Sequence, residues 1–175
     1  MIEQSHLCRE RRPMSDTRWW RGTRGEWYVV AQVAFIVLVL FGPRTWPGGV
    51  LLSFPDPWLA SIAGVALIAS GLVLMTAGGL RLGRNLTPFP RPTATSTLVE
   101  TGPFHLVRHP MYSGGFLIAF GWAIWVRGPL TIGYAVLVFV FLDIKSRREE
   151  QWLRETFAGY AKYQTRVRKL IPFVY

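Results

Sequence analysis

The stretch WLASIAGVALIASGLVLMTAGGL, at residues 58–80, runs for 23 positions without a charged side chain. As a helix rising about 1.5 Å per residue it would be about 34 Å long. The hydrocarbon core of a bilayer is about 30 Å thick. The stretch therefore predicts a membrane-spanning helix, and it sets the fold class.

Three further apolar stretches lie at residues 27–42, 110–126 and 128–142, and only Arg127 separates the last two. As helices they would be about 22–26 Å long, so they could also be buried helices of a soluble protein. None of them offers a polar face for water, and a chain of 175 residues has no core large enough to bury four such helices. We therefore predict an all-α integral membrane protein with four spans, the last two forming a helical hairpin.

Composition and charge agree with this topology. The chain is 50% hydrophobic and 17% charged, against about 25% charged residues in an average soluble domain. Its net charge of +10 would suit either nucleic acid or a membrane surface, but 18 of the 20 Lys and Arg residues lie in the segments 1–26, 81–109 and 143–175. Four spans place these segments on one side, which the positive-inside rule assigns to the cytoplasm. We expect both termini to be cytoplasmic and no nucleic-acid partner.

The chain divides into a basic tail, residues 1–26, and a membrane domain, residues 27–175. The first apolar run begins only at residue 27 and lacks a cleavage pattern, so we expect an anchor rather than a signal peptide. The single Cys8 excludes an intramolecular disulfide and a cysteine metal cluster. His105 and His109 are four residues apart, but Pro110 makes a helix through them improbable, so we predict no metal site.

Two further patterns concern packing and the end of the chain. Gly64, Gly71 and Gly78 recur every seven residues, which predicts a seam where another helix approaches closely. After Asp143 the spacing of apolar and charged residues predicts a separate amphipathic helix, interrupted near Gly159.

The segments 81–112 and 143–173 flank the predicted hairpin and should emerge close together on one face. The first brings Arg108 and His109 to the start of a span, where they could be interfacial anchors. The second carries Lys145 and two adjacent glutamates. This pattern fits a solvated helix face, and it fits a site for a cationic ligand equally well. Spacing alone leaves both interpretations open.

The order of motifs is more specific. Gly-Pro-Phe-x-x-x-Arg-His-Pro-Met-Tyr-Ser-Gly at residues 102–114, the apolar hairpin, and Glu-Glu-x-x-Leu-x-x-x-Phe at residues 149–157 are followed by Tyr160, Tyr163 and Ile-Pro at 171–172. This pattern closely resembles the isoprenylcysteine carboxyl methyltransferase family, part of a wider group of integral-membrane methyltransferases that includes phospholipid N-methyltransferases. The resemblance covers roughly residues 80–173.

The resemblance implies a cytoplasm-facing pocket for S-adenosylmethionine. Matched position by position, the cofactor-binding residues are Ser96, Thr97, Leu98, Val99, Phe104, His109, Pro110, Met111, Tyr112 and Glu149, with Glu150 as the other possible register. The family commonly has Tyr at position 104, and its eukaryotic members have Arg at position 145. The soluble methyltransferase signature, a Gly-rich turn after a strand, is missing.

The implied reaction is methyl transfer to a lipophilic or prenylated acceptor, most simply a carboxylate, in a membrane such as the bacterial inner membrane. A sulfonium is a cation, so Glu149 and the rings of Phe104 and Tyr112 would attract it. The candidate catalytic residues are the basic side chains that would steer an acidic acceptor: Lys145, Arg108 and Arg148. An amine or phospholipid headgroup is the alternative acceptor, and a non-enzymatic membrane protein that kept the fold is the alternative class.

Overall fold

A computed structural model describes residues 26–86 and 97–175. Within them the chain is helical, without a β-strand, which confirms the predicted all-α class. The helices are α1 (Glu26–Phe41), α2 (Pro57–Leu82), α3 (Pro110–Val126), α4 (Pro129–Thr156) and α5 (Tyr160–Arg166), with short 3-10 turns at Gly83–Asn85 and Gly102–His105. All but one residue of the predicted basic tail lies outside the described residues.

Helix α2 begins and ends where its sequence provides caps. The Asp56 carboxylate accepts hydrogen bonds from the backbone N–H groups of Trp58 and Leu59, at 2.9 and 3.2 Å. Pro57 occupies the first turn, where a missing N–H costs nothing. The helix stops at Gly83, whose φ of 52° is easily adopted only by a residue without a Cβ.

The predicted glycine seam is confirmed, and its partner is α3. A Cβ placed on Gly71 would lie 2.6 Å from the carbonyl oxygen of Gly114, and one on Gly64 would lie 2.8 Å from that of Gly121. The two helices run antiparallel, and glycines on both sides let their backbones touch. This close contact fixes α3 against α2.

Helices α3 and α4 form the predicted hairpin. Arg127 ends α3 in the left-handed conformation, with φ 54°, and Pro129 begins α4 two residues later. Helix α1 packs against this hairpin, where Val39 joins Ala119 and Ala135 in a buried cluster. The rings of Phe35 and Phe141 add a tilted contact at 5.1 Å between centroids.

The predicted break after residue 142 is wrong. Helix α4 continues without interruption for 28 residues to Thr156, and only the short α5 follows. Nothing near Asp143 breaks a helix, and its ion pair with Arg147, one turn later at 2.7 Å, supports the continuation. The change from apolar to charged residues marks where α4 leaves its apolar surroundings rather than where it ends.

Two of the described helices, α2 and α4, are long and apolar enough to cross a membrane, while α1 and α3 have 16 and 17 residues. Large apolar side chains of α1 and α2 are exposed, including Val33, Val37, Val65 and Val73. An exposed apolar surface of this kind suits lipid rather than water. The end of the bundle where α1 begins, α2 ends, α3 begins and α4 becomes charged is called the polar end below.

Candidate functional site

A cavity of about 570 Å³ opens at the polar end between α1, α3, α4, α5 and the segment that precedes α3. Its volume lies within the range of small-molecule sites. Its walls contain most of the residues predicted for the site: Thr97, Leu98, Val99, Phe104, Arg108, His109, Pro110, Met111, Tyr112, Lys145 and Glu149. Glu150 and Arg148 do not line it, and Ser96 lies outside the described residues.

Backbone pairing with the end of the chain positions the Arg-His-Pro segment. The N–H groups of Arg108 and His109 donate to the carbonyls of Arg168 and Lys169, at 2.8 and 3.1 Å. The Ser113 hydroxyl adds a bond of 2.6 Å to the carbonyl of Leu170. The start of α3 is therefore held by residues more than 50 positions later in the chain, which no local pattern reveals.

Glu149 lies on the cavity wall. The Tyr112 hydroxyl donates a hydrogen bond to its carboxylate at 2.8 Å, and His109 Nδ1 lies 3.6 Å from the same oxygen. The His109 and Tyr112 rings are stacked, with 5.4 Å between centroids and 3° between planes. A carboxylate is thereby fixed beside an aromatic surface, an arrangement that can hold a cationic ligand.

Glu150, the next residue, is turned away from the cavity and is fully engaged by protein. Its carboxylate accepts hydrogen bonds from Arg108 Nε at 2.7 Å and from the Gln164 amide at 2.8 Å, and it lies 3.2 Å from His109 Nε2. Arg108 also donates to the carbonyls of Gln164 and Val167, at 3.2 and 2.5 Å. This buried network ties the start of α3 to α4 and α5.

Lys145 precedes Glu149 by one helical turn and shares its face of α4. The side chain is only 3% exposed. Its ammonium donates to the Gln32 amide oxygen of α1 at 2.5 Å and lies 5.1 Å from the centre of the Tyr112 ring. The cavity wall therefore carries a cation and an anion on consecutive turns of one helix.

Arg148 takes a different position. It precedes Glu149 by one residue, which is a rotation of about 100° around the helix. Its guanidinium donates to Gln151 at 2.8 Å and lies over the Trp152 ring at 4.9 Å. The structure brings Arg148 to the exposed side of α4 and not to the cavity.

Several cavity residues were absent from the predicted site. They are Gln32, Asn85, Leu153, Phe157, Tyr160 and Tyr163, together with apolar residues of α1 and α2. Gln32 carried a signal in the sequence, because it is an amide within an otherwise apolar run. Asn85 carried no such signal. Its amide forms hydrogen bonds of 3.1 to 3.3 Å with Thr97, donating to the carbonyl and hydroxyl oxygens and accepting from the backbone N–H.

The two tyrosines of α5 line the cavity as neutral phenols. Burial raises the pKa of both Tyr160 and Tyr163 well above the usual value. The Tyr163 hydroxyl donates to the carbonyl of Phe104 at 2.6 Å. The Tyr160 hydroxyl is buried yet has no hydrogen-bond partner among the described residues. A buried polar group without a partner is costly, so a ligand that bonds to it would be stabilised.

Comparison with known proteins identifies the chain's relatives. A family model described as phospholipid methyltransferase matches residues 59–159, more than half of the chain. The chain belongs to the phospholipid methyltransferase family. The matched range begins in α2 and ends just before α5, so it contains the glycine seam, the hairpin and most of the cavity wall, but not α1.

Individual relatives agree with the sequence resemblance. "Protein-S-isoprenylcysteine O-methyltransferase B" of Arabidopsis thaliana is 31% identical over 121 residues, 67% of this chain and 61% of the relative. The human "Protein-S-isoprenylcysteine O-methyltransferase" is 30% identical over 121 residues, 67% of this chain and 42% of the relative. The matches thus span less than two thirds of the length of these two relatives.

A solved structure shows the same fold. It is that of a eukaryotic intramembrane Ras methyltransferase, an isoprenylcysteine carboxyl methyltransferase, with a TM-score of 0.63 and 24% sequence identity. The match covers 92% of this chain and 55% of the other. This phospholipid methyltransferase family member therefore shares the fold of that methyltransferase.

Proposed function

We propose that the protein transfers a methyl group from S-adenosylmethionine to the carboxylate of a lipophilic acceptor, such as an isoprenylcysteine. One observation carries the proposal: Glu149 and the buried Lys145 line the same cavity on consecutive turns of α4. The carboxylate suits a cationic methyl donor, and the ammonium suits an anionic acceptor. The relatives named as isoprenylcysteine O-methyltransferases support the same reaction.

The cavity residues fit the cofactor. The volume of about 570 Å³ accommodates a ligand of that size. The walls supply a fixed carboxylate, aromatic rings at Phe104 and Tyr112, and the unpartnered hydroxyl of Tyr160, which a polar group of the ligand would satisfy. When bound, S-adenosylmethionine supplies an electrophilic methyl group on a sulfonium. Among the residues assigned by resemblance, we propose Thr97, Leu98, Val99, Phe104, His109, Pro110, Met111, Tyr112 and Glu149 as cofactor contacts.

The protein's own groups prepare this reaction by orientation. The hydrogen bond from Tyr112 holds Glu149 in place, so that the carboxylate does not have to reorganise when a ligand binds. Arg108 lies on the wall and Glu150 behind it, but their charges are engaged by each other and by the end of α5 rather than by the cavity. We therefore assign Arg108 and Glu150 positioning roles, and we assign Arg148 no role in the reaction.

A second cavity supports a lipophilic acceptor. It has a volume of about 240 Å³, lies between α1, α3 and α4, and is lined mostly by apolar side chains. Gln32, Ile36, Met111 and Tyr112 line both cavities, so the two adjoin. An acceptor with its carboxylate near Lys145 could place an apolar chain there. A water-poor site would favour a step in which opposite charges neutralise each other.

We also propose that all four helices α1–α4 span the membrane, with both termini in the cytoplasm. The turns opposite the polar end support this arrangement, because Leu52 N–H donates to the carbonyl of Arg127 at 2.8 Å and Leu130 N–H to that of Arg44 at 3.1 Å. Reporter fusions after residue 50 and at the C-terminus should report opposite sides of the membrane. The same side for both would contradict four spans.

The activity is tested with S-adenosylmethionine labelled in its methyl group. The purified full chain in detergent is assayed against prenylcysteine analogues, fatty acids and phospholipids with amine headgroups. We expect label in base-labile esters of the carboxylate acceptors, and much less after Lys145→Ala. Label found only in amines would contradict the carboxylate proposal.

The amine or phospholipid acceptor is the second candidate, and the description of the family model favours it. The buried ammonium of Lys145 argues against it, because a cation at the cavity wall would repel a protonated amine. A non-enzymatic role is tested separately by calorimetry, since a protein without the reaction would show no binding of S-adenosylmethionine.

A further inference from the structure

Gln32 is an amide in the apolar helix α1, outside the range matched by the family model. A polar side chain at this depth costs free energy unless it is hydrogen-bonded, so its presence calls for a reason. Its amide oxygen accepts a hydrogen bond from Lys145 Nζ at 2.5 Å. This contact joins α1 to α4 across 113 positions of sequence.

Lys145 has unused donor capacity. An ammonium has three N–H donors, and among the described residues Gln32 is the hydrogen-bond partner of Lys145. Among the described residues Lys145 forms no ion pair with a carboxylate, and Glu149, one turn along α4, accepts a hydrogen bond from Tyr112 instead. A nearly buried cation that no carboxylate contacts directly is destabilising, and an anionic ligand bound to it would lower that cost.

Gln32 stands where the two cavities adjoin, because it lines both of them. Its oxygen is committed to Lys145, and its NH₂ group donates to no other described residue. The amide thus presents two N–H donors next to an ammonium. A carboxylate has two oxygens, and this pair of side chains can bond to each of them.

We propose that Gln32 and Lys145 together form the recognition site for the acceptor's carboxylate. Gln32 orients the ammonium and supplies the second donor, so it determines specificity for an acid over a neutral analogue. The inference rests on the proposed function and adds a residue that the family comparison does not cover. The same site explains how the product is released. Methylation removes the negative charge that Gln32 and Lys145 bind, so the ester binds more weakly than the acid.

The test measures binding rather than turnover. The full chain in detergent is titrated with N-acetyl-S-farnesylcysteine and, separately, with its methyl ester. We expect the unsubstituted protein to prefer the acid by about tenfold or more, as is usual for a charge-assisted hydrogen bond. Gln32→Leu should reduce affinity for the acid about tenfold while leaving the ester and S-adenosylmethionine nearly unchanged.

Two further variants make the result specific. Gln32→Glu is isosteric and can still bond to Lys145, but it neutralises the ammonium and should lower acid binding more than Gln32→Leu. Gln151→Leu is the matched control, because Gln151 is an exposed amide on α4 bonded to Arg148, away from both cavities. It should change neither ligand's affinity. Thermal unfolding midpoints check that each variant is folded.

Two outcomes would overturn the inference. One is an unchanged acid-to-ester affinity ratio in folded Gln32→Leu or Gln32→Glu protein. The other is a fall in affinity for S-adenosylmethionine alone, which would place Gln32 in the cofactor site. Failure of the proposed function looks different: the acid-to-ester preference would collapse in Gln32→Leu, yet the unsubstituted protein would transfer no methyl group to any acceptor.

Discussion

The contact between α2 and α3 and the network at the polar end of α4 hold the same molecule together by different means. In the first, Gly71 and Gly114 bring two backbones into contact, and no polar side chain is needed. In the second, Glu150 of α4 binds Arg108 and His109 from the start of α3 and Gln164 from α5. The first depends on the absence of side chains at a fixed spacing, and the second on partners that only folding brings together.

Within this network region, two adjacent glutamates have different surroundings. Glu149 faces the cavity and is held by Tyr112, while Glu150 faces the protein and is held by Arg108. Of two adjacent carboxylates, one therefore lines the cavity of the proposed site and the other links α4 to α3 and α5. The same substitution at the two positions should separate affinity from stability.

The largest expected effect is that of Glu150→Gln. Removing one charge of a buried ion pair leaves Arg108 uncompensated, which costs about 3–5 kcal/mol of unfolding free energy. The measurement is unfolding of the purified protein by titration with denaturing detergent. The exposed Glu155→Gln serves as the control and should be close to neutral. A neutral Glu150→Gln would show that the network contributes little to stability.

Glu149→Gln should instead weaken binding of S-adenosylmethionine. Loss of a charge-assisted contact costs about 1.5–3 kcal/mol, which corresponds to roughly tenfold to a hundredfold in Kd. Calorimetry in detergent measures the change, and the unfolding free energy should move far less than in Glu150→Gln. Loss of cofactor affinity in Glu150→Gln, with Glu149→Gln unaffected, would reverse the assignment of the two glutamates.

Gly71→Ala tests the glycine seam. The new methyl group would lie 2.6 Å from the carbonyl oxygen of Gly114, so the helices must separate. We expect a loss of about 1–3 kcal/mol in unfolding free energy. Gly133→Ala on α4 is the matched control, because nothing lies within 4 Å of its Cβ position. It should be neutral or stabilising by up to about 1 kcal/mol. Equal losses in both variants would argue against close packing as the cause.

The smallest effect is expected for Arg147→Ala. Its ion pair with Asp143 is 2.7 Å long, but the side chain is 65% exposed, so solvent screens the attraction and the pair contributes little to stability. Detergent titration should therefore show a shift near the error of the method. A loss as large as that of Glu150→Gln would mean that burial does not distinguish the two ion pairs.

Sequence reasoning succeeded where local rules suffice. The seven-residue glycine spacing led to the seam, and two apolar stretches separated only by Arg127 led to the hairpin. It failed at residue 143, because a change of polarity resembles a helix boundary although the backbone hydrogen bonds continue through it. It also could not distinguish Glu149 from Glu150, since neighbouring residues on a helix differ only by a rotation that packing defines.

By itself, the sequence determined that this chain is a bundle of apolar helices, and it predicted the candidate site near residues 102–112 and 145–150. Charge distribution, helix length and motif order are properties of the sequence, and they can be recognised without knowing which residues contact each other. Only the tertiary structure decided that Gln32 contacts Lys145 and that Tyr112 donates to Glu149. It also decided that Glu150 binds Arg108 and so links α4 to the start of α3. These pairs lie 37 to 113 positions apart in sequence. Such distant groups meet only when helix packing brings them together, so no local rule could identify them.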